Sequence, residues 1–221
     1  MLNIVGRRYW YFALSLLVMI PGLLALGLWG LPLAIDFTGG SKLEVSITQG
    51  RDLSTSRVVE LLDQVGFSDN VVQLSTGNVV IIRTKSMDDA SKGDVITALE
   101  TEFDSAVELL SFENVGPVVG REVAGRAVQA VGIAALGILV YITYAFRGVK
   151  HSFRYGVCAI LALVHDVTVV LGVAAILGRL LGWEVDALFL TALLTVIGFS
   201  VHDSIVVFDR IRANLSRFRR A

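Results

Sequence analysis

Cysteine is nearly missing from this 221-residue chain: Cys158 stands alone, inside an apolar run. That excludes an internal disulfide and any metal site built from cysteines. Histidine and proline are scarce as well, with three of each. Charge is thin: 18% of residues are Asp, Glu, Lys or Arg, against about 25% in soluble domains. Hydrophobic residues make up 54% of the chain, and its mean hydropathy is +0.70. Such a composition belongs to a multi-span membrane protein with one modest soluble domain.

The net charge of −1 hides an asymmetry. Residues 36–118 hold 14 acidic and 6 basic side chains, while the rest of the chain holds 6 and 13. A split of that kind points to a chain divided across a membrane, not to nucleic acid. Four apolar runs are long enough to span: 10–30, 127–146, 156–177 and 187–208. The first follows a short basic start at 1–9 with Arg7 and Arg8. A signal peptide shares those features, but the run is long for one and no A-x-A site follows, so it reads as a retained helix. Pro21-Gly22 is expected to kink or open it. Basic residues follow the second run (Arg147, Lys150, His151, Arg154) and the fourth (Arg210, Arg212, Arg217, Arg219, Arg220, in the tail 209–221). The positive-inside rule then puts both termini in the cytoplasm and the acidic segment outside. Arg121 and Arg126 run against the rule, at a helix end where snorkelling is cheap.

The 36–118 segment alternates strand and helix patterns. Strands are expected at 41–48, 71–74, 79–84 and 106–112, and helices at 54–65 and 88–103. The order β-α-β-β-α-β is that of a ferredoxin-like split βαβ fold. The fold class expected is therefore an α-helical, four-span membrane protein with an external α+β ferredoxin-like domain. That domain carries no His, no Cys and no catalytic constellation, so no enzyme chemistry and no cofactor are expected of it. Gly39-Gly40 in IDFTGG invites a phosphate-loop reading. No GKS/T follows, and the next pattern is a strand, so a tight turn after Asp36 fits better. Gly116-Pro117 in NVGPVVGRE is a second breaker, just before the chain returns to the membrane.

The chemistry lies in the runs. Asp203 follows His202 inside VIGFSVHDSIVVF, and an ionisable group there costs about 2.5–3.5 kcal/mol on insertion scales. On a helical wheel Leu194, Ile197, Gly198, Val201, Ile205 and Phe208 share an apolar arc, read as facing lipid. Thr191, Thr195, Ser200, His202, Asp203, Ser204 and Asp209 fall on the remaining arc, read as facing protein or a wet cavity. The helix closes on Asp209-Arg210, a charged stop. The third run carries His165-Asp166 about halfway along, with Cys158, His165 and Gly172 on one stripe. Two intramembrane His-Asp pairs are the parts of a proton relay. The structural alternative is hydrogen bonding between packed helices. A metal site from two His and two Asp is disfavoured because neighbours in sequence point about 100° apart on a helix. An aspartyl-protease dyad is disfavoured by depth: Asp166 lies about 16 Å from the cytoplasmic end and Asp203 about 9 Å, at 1.5 Å per residue.

IDFTGG at 35–40, NVGPVVGRE at 114–122, HD at 165–166 and LTVIGFSVHDSIVVFDRIRANL at 194–215 together resemble the SecF branch of the SecD/SecF family. This is a family of protein-translocase subunits within the resistance-nodulation-division transporters. The resemblance implies a non-enzymatic subunit in the cytoplasmic membrane. With SecD it would use the proton motive force to assist polypeptides crossing through SecY, SecE and SecG. It implies no cofactor, and places the intramembrane aspartate of the fourth helix at Asp203 and the third-helix pair at His165 and Asp166. His202 stands where the family usually has Asn. The family has six spans and this sequence holds four, without the fifth-helix arginine linked to the proton pathway, so part of the polar face of the fourth helix is expected to lack its usual cover. Two other readings are a proton-driven small-molecule exporter of the same superfamily, against which the small external domain counts, and a scaffold that only stabilises SecD.

Overall fold

The computed structural model describes residues 6–48, 53–147 and 152–218. Lys150, His151, Arg219 and Arg220 lie outside the described residues, as does the side chain of Arg217. The chain divides into two compact units, Leu33–Gly125 and Met1–Pro32 with Arg126–Ala221.

The second unit begins with α1 (Arg8–Trp29), and the first with the single turn α2 (Ile35–Thr38), β1 (Gly40–Ile47) and α3 (Thr55–Gln64). Ser54 caps α3 by accepting the Arg57 N–H at 3.4 Å. β2 (Asn70–Ser75) and β3 (Val79–Thr84) form a hairpin whose loop needs positive φ at Gly77 (79°) and Asn78 (59°). α4 (Asp89–Phe103) starts at the Asp88 cap, which accepts the Ser91 N–H at 2.9 Å. β4 (Val107–Val115) follows. The sheet order is β2-β3-β1-β4, every pair antiparallel, which is the expected split βαβ arrangement.

Alternation decides which side of this sheet is covered. Leu43, Val45 and Ile47 of β1 and Val80 and Ile82 of β3 point to one side and are fully buried. There they meet Val58 and Leu62 of α3 and Val95, Leu99 and Phe103 of α4. β4 runs three residues past the expected end, and its register shifts between Glu44 and Val45. A bulge there interrupts the alternation through Leu109 and Leu110. Ser41 is buried and holds the chain leaving β3: its hydroxyl accepts the Met87 N–H at 2.8 Å and donates to the Met87 carbonyl at 3.3 Å.

The two breaker motifs meet in this unit. Gly40 pairs with Val115, so the start of β1 lies beside the end of β4. Gly39 has φ +75°, and a Cβ on it would stand 2.6 Å from the Pro117 Cα. A Cβ on Gly120 would stand 2.6 Å from the Gly39 nitrogen. These backbones touch because neither glycine carries a side chain. Pro117 opens α5 (Pro117–Ala145), where its missing N–H is harmless. Gly116 has open space where a Cβ would be.

With α6 (Ser152–Leu181) and α7 (Ala187–Phe218), the described residues hold four helices long and apolar enough to span a membrane: α1, α5, α6 and α7. The chain is a multi-pass membrane protein. α5 begins ten residues before the expected span, and α7 ends ten after it. Asp186 caps α7 by accepting the Phe189 N–H at 2.7 Å.

Pro21 does not break α1, which is helical from Arg8 through Trp29. Gly22 instead serves packing. A Cβ on Gly22 would stand 2.9 Å from the Gly172 Cα, and one on Gly172 would stand 2.7 Å from the Gly22 Cα. In lipid, helices associate through such small residues. α5, α6 and α7 pack through Leu163, Leu193 and Ile197, then through Ile142, Phe146 and Ala159.

Candidate functional site

The α1–α6 crossing fixes the first half of the site. Ser15 lies seven residues before Gly22, and His165 seven before Gly172. Equal steps on the two helices mean that they run parallel, and one repeat back from the glycine contact a polar pair meets. The Ser15 hydroxyl is hydrogen-bonded to His165 Nε2. The other ring nitrogen, Nδ1, lies 2.9 Å from Asp166 Oδ1. Neighbouring helical positions diverge by about 100°, yet the imidazole is long enough to turn back to the next side chain. Both side chains are about two-fifths exposed. Where the Asp166 carboxylate is ionised it only accepts, and Nδ1–H is then the donor of this pair. The stripe of Cys158, His165 and Gly172 is thus real in part: His165 and Gly172 face α1, while Cys158 is exposed.

α7 presents the second half differently. Its buried side is Leu193, Ile197, Val201, Ile205 and Phe208, packed on α5 and α6. The arc read as facing lipid is therefore mostly the packing face. Lipid and a neighbouring helix are equally apolar, so a wheel cannot tell them apart. Gly198 and Leu194, from the same arc, lie instead on the exposed side, and a Cβ on Gly198 would meet nothing. His202 and Asp203 are exposed there, and neither makes a hydrogen bond or ion pair with any described residue. Thr191 and Thr195 spend their hydroxyls on the Ala187 and Thr191 carbonyls. Of the polar arc of α7, Thr191, Thr195, His202, Asp203 and Asp209 are exposed and Ser200 and Ser204 half-buried.

The two His-Asp pairs are not joined. No hydrogen bond or ion pair links His165 or Asp166 to His202 or Asp203. Among the described residues no three His, Cys, Asp or Glu side chains converge as metal ligands would. The charged stop has its own order. Asp209 pairs with Arg212 at 2.7 Å, not with Arg210. Arg212 also lies over the Phe146 ring at 5.5 Å. Phe146, Tyr155 and Phe208 interlock beneath it, with centroids 5.0–5.9 Å apart. Asp36 lies in the first turn of α2, next to the Gly39–Pro117 contact. Ser15 was missed by sequence reasoning. The repeat that aligned His165 with Gly172 would have aligned Ser15 with Gly22, had Pro21-Gly22 been read as a packing site.

Known proteins place this arrangement. Residues 95–221 match the family model described as protein export membrane protein SecD/SecF, C-terminal. The chain is 51% identical over 220 residues to the protein translocase subunit SecF of Anaerolinea thermophila, covering all of this chain and 71% of that one. It is 46% identical to the SecF subunit of Thermobaculum terrenum, covering 98% and 71%. The crystal structure of SecDF, a translocon-associated membrane protein from Thermus thermophilus, superposes with a TM-score of 0.78 at 30% identity. That match covers 97% of this chain, which spans 28% of the length of the SecDF chain. On sequence and on fold alike, this chain belongs to the SecD/SecF family of protein-export membrane proteins, within its SecF branch.

Proposed function

We propose that the chain is the energy-coupling membrane part of a SecF-type subunit, which with a SecD-type partner assists polypeptides crossing the cytoplasmic membrane through SecY, SecE and SecG. It makes and breaks no covalent bond. Both termini are cytoplasmic, and the Leu33–Gly125 unit is outside. Protonation and deprotonation of Asp203 bias the packing of membrane helices, and that bias drives the external unit. A two-state element shifted by a local charge change is the general form of such a switch.

The observation that carries this reading is the state of Asp203. It is an intramembrane carboxylate on an exposed helix face, with no hydrogen-bond or ion-pair partner among the described residues. An ionisable group at that depth is costly to hold in a membrane helix, and such groups mark proton and ion pathways.

The test is export of a secretory precursor into inverted membrane vesicles carrying the intact translocase, with and without a proton gradient. Asp203→Asn is expected to abolish the gradient-dependent part while the protein inserts at normal levels. Unimpaired gradient-dependent export in that variant would sink the proposal and favour a scaffold role.

A further inference from the structure

The Ser15 hydroxyl has two partners in the structure. It is bonded to His165 Nε2, and it lies 3.9 Å from the Met19 sulfur, one turn on in its own helix. From this geometry we infer that Ser15 is a positioning residue for the proton-handling pair His165–Asp166, serving the ring in both of its protonation states. The inference rests on the energy-coupling reading above and adds a residue of the first helix to it.

The hydrogen count is simple. With the ring neutral, Nδ1–H donates to the Asp166 carboxylate at 2.9 Å, and Nε2 is left as an acceptor. The Ser15 O–H donates to it. When a proton arrives at Nε2, both ring nitrogens become donors. The serine hydroxyl then accepts from Nε2–H and turns its own hydrogen to the Met19 sulfur. No bond within serine breaks; the hydroxyl only rotates. A group that could only donate, or only accept, would oppose one of the two states. Serine opposes neither.

Nothing else described competes for the ring. α1 carries one charged residue, Arg8, with Tyr9 and Tyr11 beside it at its start. α5 offers Arg121, Glu122, Arg126, Tyr141 and Tyr144, and α7 offers His202, Asp203, Asp209, Arg210 and Arg212. None of these makes a hydrogen bond or ion pair with His165 or Asp166. The glycine contact at Gly22 and Gly172 holds the two helices close enough for the serine to reach, two turns away.

The experiment uses the same vesicles and measures gradient-driven export across a series of pH values. Ser15→Ala is expected to cut the gradient-driven rate about fivefold or more and to displace its pH profile by about half a unit or more, because the hydrogen bond it removes differs in strength between the two states of the ring. Ser15→Thr keeps the hydroxyl and is expected to restore both rate and profile. A merely structural serine would change protein level or rate without moving the profile. Export by Ser15→Ala with wild-type rate and profile, while Asp203→Asn has lost its gradient dependence, overturns the Ser15 assignment alone. Undiminished export in both variants overturns the energy-coupling reading, and this inference with it. Ser15→Thr that fails to rescue an inserted, stable protein also overturns the assignment.

Discussion

Two glycines in α1 make the helix crossing testable, because the same substitution should have opposite effects at each. At Gly22 an added Cβ would stand 2.9 Å from the Gly172 Cα and 3.4 Å from its carbonyl carbon. Carbon atoms in contact prefer about 3.5–4.0 Å. The deficit is about 0.6–1.1 Å, and the obstacle is backbone, so no side chain can swing aside. The helices must separate, or the backbone must strain, at a cost of about 1–3 kcal/mol. At Gly27, one and a half turns on, an added Cβ would meet nothing within 4 Å. There alanine only removes glycine's conformational freedom, which stabilises a helix by about 0.5–1 kcal/mol. For a protein of this size 2 kcal/mol moves a thermal midpoint by about 4–8 °C. Monodispersity after heating in detergent, read by size-exclusion chromatography, should show Gly22→Ala falling by roughly that amount and Gly27→Ala level or higher. Equal midpoints for the two variants would refute the close crossing, and with it the reach of Ser15 to His165.

Four other outcomes can be checked. Ser41→Ala leaves the buried Met87 N–H without its acceptor and should cost about 1–3 kcal/mol, seen as faster hydrogen exchange at the Met87 amide. Gly39→Ala should destabilise the Leu33–Gly125 unit more than Gly116→Ala, because Gly39 combines φ +75° with the Pro117 backbone and a Cβ on Gly116 meets nothing; thermal unfolding followed by circular dichroism separates them. Arg212→Ala should destabilise slightly, by about 1 kcal/mol or less for an exposed pair plus a ring contact, seen as a small drop in thermal midpoint, and Arg210→Ala should leave the midpoint unchanged. Asp88 is held below its ordinary value of 3.8 by the hydrogen bond from Ser91, so its capping contribution is full above that value and disappears as pH falls through the lowered one; NMR titration should show this, and Asp88→Asn should cap α4 with no such pH dependence.

The Leu33–Gly125 unit was legible because its signals are local. Caps at Ser54 and Asp88, the Gly77-Asn78 turn and the alternation of β1 each act within a few residues. β4 runs on past residue 112 because Glu113, Asn114 and Val115 pair with Lys42, Ser41 and Gly40, and pairing is a property of two strands. The membrane helices were legible as segments and not as surfaces. Hydropathy marks what leaves water and says nothing about which apolar side meets a neighbour, so Val201, Ile205 and Phe208 were assigned to lipid and lie against α5 and α6. Asp203, His202, Asp166 and His165 stood out because polarity is costly where they lie. Ser15 did not, since a serine in an apolar helix is cheap and common; its importance arises 150 positions away, at His165.

The clasp between Gly39, Pro117 and Gly120 has a mechanical meaning. The chain enters and leaves the sheet of the Leu33–Gly125 unit through neighbouring antiparallel strands, at the same edge of the Gly40–Val115 pairing. Pulling those two ends apart would load the β1–β4 ladder in its weakest direction, one hydrogen bond after another, as a zipper opens. Moving them together loads nothing inside the sheet. The glycine–proline contact sits where such a zipper would start. Residues 39 and 117 are therefore coupled in translation, and motion delivered to both passes into the sheet as displacement of a body, with its internal pairing left intact.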